Sequence, residues 1–339
     1  MSFKKAAGLI NKNKAFLITA HVNPEADALG AELAFLHLLR KLGKTGFIMN
    51  ESRVPAECEF LPGVSNILPL SKKIKDFDCA VFLDCSENAR AGGVAGLINP
   101  DKPTLNIDHH ISNTRFASVN WVGLNASSTC EMVYRLYQRL RVQIDSDAAL
   151  MLYAGIVVDT GSFRYNNTSA AVHRISASLI EKGISPARVY GALFENNPFL
   201  DIKLLGRIIS AIKRDSSGRI CWVDITHKAL EKKFPVMDLS DMVLGLLRSI
   251  RGVELAMVFK QVRGKRNHIR INFRSQTNFD CNYLASRFGG GGHKNASGAT
   301  VAGDLAKVKN KVIGRAKELM NPAPSKYSSR TFLLRRDAT

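Results

Sequence analysis

Short apolar runs alternate with amphipathic stretches through the first half of the chain, and this alternation restricts the fold more than any other feature. The runs FLITA (16–20), FIMN (47–50), CAVFLD (79–84) and TLNID (104–108) read as strands. Between the first two lies ALGAELAFLHLLRKLG, where Leu29, Leu33 and Leu36 make one apolar face and Gly43 marks the stop. A helix is therefore expected to begin just after residues 21–27. Strand, helix, strand in succession makes βαβ units, so the expectation is an α/β fold with a mostly parallel sheet flanked by helices.

Further along, Ser128 followed by Glu131 has capping-box spacing and opens a helix in STCEMVYRLYQRL. Residues 145–158 read as a buried helix running into Asp159, and 169–182 and 186–195 as further helices. In ENNPFLDIKLLGRIISAIKRDSSG a proline break precedes an amphipathic helix that ends in a Ser/Gly turn, so the domain junction is placed here. Beyond it GRICWVDIT, ELAMVFKQV and NHIRINFRS are strand-like, the last two joined by the turn RGKR. NYLASRFGGGGHKNASGAT then predicts a helix and a glycine loop, and 306–320 a closing helix. The division is 1–195 for a first domain, 196–214 for a linker helix, 215–322 for a smaller α/β domain and 323–339 for a basic tail whose composition is compatible with disorder.

With 339 residues, 45% hydrophobic and 23% charged, the chain has enough apolar material for two cores. No apolar run approaches the roughly 18 residues that cross a bilayer, and MSFKKAAGLINKNK is too weakly apolar for a signal peptide. The expectation is a cytoplasmic protein with no membrane partner. Cys58, Cys79, Cys85, Cys130, Cys221 and Cys281 are scattered without zinc-type spacing, as reduced packing residues are. A formal net charge of +19 favours polyanionic partners, nucleic acids or phosphorylated metabolites. Charge alone is explained equally well by a solvated surface.

Asp and His residues recur at the C-terminal ends of the expected strands, where open α/β sheets place their ligand crevice. His21, Glu25 and Asp27 follow FLITA; Asp84 closes AVFLD; Asp108, His109 and His110 close TLNID; Asp159 ends MLYAGIVVD. One Asp at a strand end is more often a turn or cap residue than a ligand. Four such clusters in order offer carboxylates and imidazoles suited to a pair of Mn²⁺ or Mg²⁺ ions and poorly suited to a thiolate site. Two such ions about 4 Å apart promote phosphoester hydrolysis.

HVNPEADALGA, VFLDCSE, NIDHH and YAGIVVDTGSFRY resemble the four ordered motifs of DHH phosphoesterases, and INFRS with FGGGGHKNASG is similar to the DHHA1 signature. The resemblance spans about residues 10 to 320. In spacing and length it looks closest to the branch that cleaves nanoRNA and pAp (3′-phosphoadenosine 5′-phosphate). It makes 1–195 the DHH catalytic domain and 215–322 the DHHA1 substrate-binding domain. It implies that His21, Glu25 and Asp84 hold one metal, that Asp27, Asp84, His109 and Asp159 hold the other, and that Asp84 bridges. His110 is implied near the reacting phosphate, with Asp108 orienting the histidines. The loop Gly289 to Gly292, chiefly Gly290, Gly291 and Gly292, with His293 and Arg274, is expected to grip phosphate through close backbone amides and a bidentate guanidinium. The resemblance also implies an interdomain cleft and a homodimer. Arg164 and His173 are further candidates, for which capping or surface roles are at least as plausible.

The usual first motif reads HxNPDxDxxGS, whereas this chain has Glu25 for the first Asp, Ala26 for Gly and Ala31 for Ser. A longer carboxylate still ligates a hard cation, so altered metal preference with retained activity is expected. The implied substrates are short single-stranded RNA or DNA oligonucleotides and phosphorylated nucleotides such as pAp. Two alternatives stand beside this: a phosphodiesterase for pApA or cyclic dinucleotides, and a non-catalytic RNA-binding protein with a weakened metal site.

Overall fold

The computed structural model describes residues 3–73, 76–228, 239–265 and 267–321. The chain divides into two compact units with the boundary between Asn196 and Asn197. The expected tail lies outside the described residues.

In the first unit the elements run α1 (Phe3–Lys12), β1 (Ala15–Thr19), α2 (Ala26–Lys41), β2 (Thr45–Asn50), β3 (Leu68–Pro69), β4 (Cys79–Leu83), β5 (Thr104–Asp108), β6 (Val119–Val122), α3 (Thr129–Arg139), α4 (Ser146–Asp159), α5 (Ala170–Ile180) and α6 (Pro186–Phe194). The strands form one six-stranded sheet in the order β3-β2-β1-β4-β5-β6, every pair parallel. Parallel strands need both faces covered, and alternate residues of β1 show how that is met. Phe16 and Ile18 join a core with Leu29, Leu33 and Leu36 of α2, while Leu17 packs on the other face with Met49, Phe82 and Val94. The order reverses between β1 and β4, which makes the carboxyl ends of these two strands a topological switch point.

Helix α2 starts inside the first motif, with Asp27 in its first turn, one or two residues earlier than the apolar pattern predicts. Ser128 caps α3, accepting from the Glu131 amide at 3.0 Å, as the spacing predicts. Asp145 caps α4 in the same way, accepting from the Ala148 amide at 3.1 Å. Two strands of this unit escaped the sequence reading: β3 is only two residues long, and VNWV in β6 carries an Asn within a short run. Helix α1 was also not read, although Ala6 and Ile10 make a buried face at helical spacing. All six cysteines are buried and free.

The second unit contains α7 (Phe199–Ser210), β7 (Lys213–Arg214), β8 (Ile220–Ile225), α8 (Leu239–Ser249), β9 (Leu255–Gln261), β10 (His268–Ser275), α9 (Cys281–Ser286), β11 (Gly291–His293), β12 (Ala296–Ala302) and α10 (Leu305–Met320). Its sheet runs β11-β12-β10-β9-β8-β7 and is mixed, with β8 and β9 parallel and the other pairs antiparallel. The amphipathic stretch after the proline break forms α7 and belongs to this unit. Among the described residues no helix is long and apolar enough to cross a membrane.

Candidate metal centre

Strand β1 ends at Thr19 and β4 at Leu83, and the residues just beyond them meet: His21 Nε2 lies 3.3 Å from Asp84 Oδ2. Asp84 is 4% exposed and adopts the left-handed backbone conformation, φ 57°. Aspartate tolerates that region better than most residues, but it is costly, and a strained buried carboxylate marks a functional site more often than a structural one. The same carboxylate has His109 Nε2 at 3.6 Å and His110 Nδ1 at 3.5 Å from Oδ1. Three imidazoles from two different strand ends thus surround one side chain.

A second carboxylate, Asp27, enters from the first turn of α2 and is buried. Its oxygens accept the Thr129 amide at 2.7 Å and the Cys130 amide at 2.8 Å, the free donors at the start of α3. A helix N-terminus is a natural place for an anion, which explains how this group is tolerated inside the protein. Gly155 on α4 keeps the space open, since a Cβ there would lie 2.8 Å from Asp27 Oδ1. Thr129 reaches further, its hydroxyl donating to Asp84 Oδ1 at 2.9 Å.

Asp159 completes the group, with Oδ2 3.0 Å from His109 Nε2. Asp159 is the last residue of α4, the buried helix expected over 145–158, so of the four clusters it is the one that a helix end and not a strand end supplies. The run MLYAGIVVD is apolar all round because α4 is buried, and buried helices and buried strands look alike in such a run. A turn with three successive left-handed residues, Gly161, Ser162 and Phe163, follows it directly. Asn167 braces this turn by donating to the carbonyls of Asp159 at 3.0 Å and Ser127 at 2.9 Å.

Behind the histidines, fully buried Asp108 takes a hydrogen bond from His110 Nδ1 at 2.7 Å and another from Asn113 Nδ2 at 2.6 Å. This is the orienting contact that metal-binding imidazoles usually have. His21 Nδ1 lies 2.9 Å from the Val22 carbonyl, to which it donates, and this turns Nε2 toward Asp84. Thr129, Asn113 and Asn167 were not singled out from the sequence; their partners lie 45, 5 and 40 positions away, and only the Ser-Ser-Thr run before α3 hinted at the first.

The electrostatics describe a site crowded with negative charge. Burial pushes Asp27 up to about 8, with help from the charges of Asp159 and Asp84. Burial alone would drive the three histidines down, yet carboxylate partners outweigh it: His109 stands well above its ordinary value through Asp159, Asp84 and Asp27, and His21 and His110 are raised as well. Asp84 goes the other way, held below the carboxylate range against burial by its bond to His21 and the nearby imidazoles. Protons collect here because converging carboxylates demand positive charge. Divalent cations meet the same demand.

Two groups place one ligand atom per residue within 4.8 Å of one another: Asp84, His109 and His110; and Asp27, His109 and Asp159. Oxygen and imidazole donors of this kind fit Mn²⁺ or Mg²⁺ and give no thiolate for a softer ion. Among the expected ligands His21 and Glu25 are in neither group; His21 meets Asp84 as described, and Glu25 is the exposed residue preceding α2, without a side-chain capping bond. Its longer side chain is in place of the usual Asp at the point where the two-metal expectation is least supported by geometry.

Of the other expected residues, Arg164 is exposed and its Nε donates to the Gly161 carbonyl at 2.7 Å, while His173 stacks on Phe163 with ring centroids 5.2 Å apart. In the second unit Arg274 pairs with Asp241 at 2.7 Å. The glycine loop is partly a strand: Gly291, Gly292 and His293 form β11 against Gly298, Ser297 and Ala296 of β12. A Cβ on Gly290 would lie 2.7 Å from Ala299 Cα, and one on Gly292 2.8 Å from Ser297 Cα, with Gly292 at φ 143°. Those two glycines therefore answer to sheet packing, whereas Gly291 is exposed and a Cβ there would meet Asn282 Oδ1 at an ordinary contact of 3.7 Å.

Comparison with known proteins points the same way. Residues 15–156 match the DHH family, N-terminal domain, and residues 229–321 match the DHHA1 domain. The chain is 29% identical over 309 residues to the bifunctional oligoribonuclease and PAP phosphatase NrnA of Thermus thermophilus, spanning 90% of each protein. It is 27% identical over 289 residues to the protein of that name from Bacillus subtilis, spanning 84% of this chain and 88% of the other. Among solved structures it is similar to an exopolyphosphatase-related protein from Bacteroides fragilis, with a TM-score of 0.86 at 25% identity over 94% of this chain and 97% of that one.

Proposed function

We propose, from the premise that this chain belongs to the DHH family and carries a C-terminal DHHA1 domain, that it is a metal-dependent phosphoesterase hydrolysing short oligoribonucleotides and pAp. The observation that carries this reading is Asp84: a strained, buried carboxylate at the switch point of a parallel sheet, with imidazole nitrogens at 3.3, 3.5 and 3.6 Å. The names of the Thermus and Bacillus relatives supply the substrate class.

Two divalent ions, Mn²⁺ first and Mg²⁺ second, are assigned to Asp27, Asp84, His109 and Asp159 together with His21, with Glu25 as a weaker contributor. When bound, such ions lower the pKa of water and offset the charge that builds up at phosphorus. The protein's own groups set the rest. The amides of Thr129 and Cys130 keep Asp27 in place, and the Thr129 hydroxyl does so for Asp84. Hydrolysis forms a P–O bond to the water oxygen and breaks the ester P–O bond, and the departing oxygen takes up a proton. His110 is assigned to hold that proton at Nε2, since Asp108 occupies Nδ1. On the first unit Arg164 is assigned to substrate phosphate. Within the second unit Arg274, His293 and the exposed Gly291 of the loop 290–292 are assigned to an anion, the Gly290 amide being taken by the Ala285 carbonyl at 3.0 Å. The net charge of +19 aids capture of anions.

The test is Mn²⁺-dependent release of mononucleotides from an RNA ladder of two to five nucleotides, and of phosphate from pAp, by wild type and Asp84→Ala. Both activities are expected in wild type and at least a thousandfold less in the variant. Salt-sensitive RNA binding by a wild type that hydrolyses nothing under either metal would overturn the reading in favour of a binding protein. Relative turnover of pApA, other dinucleotides and pAp then assigns the preferred substrate.

A further inference from the structure

Beneath the metal centre lies a buried carboxyl that the reaction does not use. Glu32, on α2, is 0% exposed. Its Oε2 accepts from Asn50 Nδ2 at 2.8 Å, and its Oε1 has no hydrogen-bond partner. Asn50, the last residue of β2 and 2% exposed, turns its oxygen to the end of β1, where it accepts from the Ala20 amide at 3.2 Å and the Thr19 hydroxyl at 3.3 Å. Ala20 is the residue before His21. One continuous chain of hydrogen bonds therefore runs from α2 through β2 to the backbone from which His21 projects toward Asp84.

We propose that Glu32 is a positioning residue for the metal centre, acting through Asn50 on the Ala20–His21 backbone. The direction of each bond makes the case. An Asn amide can lie either way round; Glu32 as acceptor opposite its nitrogen and the Ala20 N–H and Thr19 hydroxyl as donors opposite its oxygen together fix it. Without Glu32 the amide nitrogen of Asn50 would be a buried donor with nothing to bond, a cost that favours any shift of the side chain that brings its nitrogen to another acceptor. The Ala20 amide would then lose its partner, and the β1 end that aims His21 would lose its anchor.

An ionised carboxylate with one oxygen unpaired in a closed interior is costly, so Glu32 is held as the neutral acid. Burial pushes it up to about 8, against the opposing effects of the Asn50 bond and His21 and with a further push from Asp84. A neutral acid that serves by accepting one hydrogen bond is well mimicked by glutamine. It is not mimicked by methionine, which fills the same volume and offers no comparable acceptor.

The inference rests on the metal reading above, so wild-type Mn²⁺ binding is measured first, by calorimetry on metal-free protein, with thermal melts on every variant. No Mn²⁺ binding by wild type sinks the metal reading itself. Given binding, Glu32→Gln is expected within about threefold of wild-type affinity and Glu32→Met weaker by about tenfold or more, the range seen when the partners of metal ligands are removed. Asn50→Leu, which breaks the same chain at its middle, should weaken binding alongside Glu32→Met. Folded Glu32→Met with wild-type affinity would overturn the positioning role, as would a Glu32→Gln variant as weak as Glu32→Met. If Glu32→Met does not fold, Asn50→Leu decides the matter by the same comparison.

Discussion

Residues in this protein carry ionisation states that burial and close neighbours set, and Glu32, moved chiefly by burial, gives the sharpest consequence. Its carboxyl ionises near 4.5 when exposed and at about 8 when folded. Between those values the folded chain holds a proton that the unfolded chain has released. The stabilisation by that proton is full below about pH 4.5 and is lost as pH rises through 8. Glutamine cannot titrate, so melting temperatures of Glu32→Gln relative to wild type should become steadily more favourable from pH 5 to pH 8. A difference that stays flat across that range would mean that Glu32 is ionised in the folded protein.

Elements matter here mainly through their ends. The start of α3 holds Asp27, the end of α4 presents Asp159, and β1 and β4 stop where His21 and Asp84 begin. Precise ends depend on caps. Asp145 Oδ1 accepts from the Ala148 amide at 3.1 Å, while Oδ2 pairs with Lys41 at 2.7 Å and His37 at 2.8 Å, tying α4 to α2. Asp145→Ala removes the cap and is expected to cost about 1 kcal/mol. In a domain of this size that lowers the melting temperature by about 2–4 °C. An unchanged melting curve would show that the exposed ion pairs and the cap together contribute little, as many surface pairs do.

At the scale of the whole molecule, the crowded carboxylates make stability depend on cations. A ligand that binds only the folded state stabilises it in proportion to the logarithm of its concentration, by about 2.7 kcal/mol at a hundred times its dissociation constant. Wild type should therefore melt higher in Mn²⁺ than in chelator, and Asp84→Ala should lose most of that difference. Equal melting with and without metal in wild type would remove the basis for a metal centre.

The alternation of apolar runs was enough to read the parallel sheet, because strands buried on both faces leave near-continuous apolar runs in any context. Ser128 was legible for a similar reason: a cap acts within three residues, so its signal is local. What sequence could not decide was which residues meet. Gly290 and Gly292 read as ligand-binding loop and are pressed against a neighbouring strand. Thr129 reaches Asp84 from 45 positions away, and Glu32 touches Asn50, on a different element. Hydrogen bonds of that kind are made by the packing of α2 and α3 over the switch point of the sheet. Composition and spacing therefore determined that carboxylates and imidazoles would gather at one end of a parallel sheet. Tertiary structure alone decided their partners, because burial and proximity, not residue type, set each group's charge and orientation.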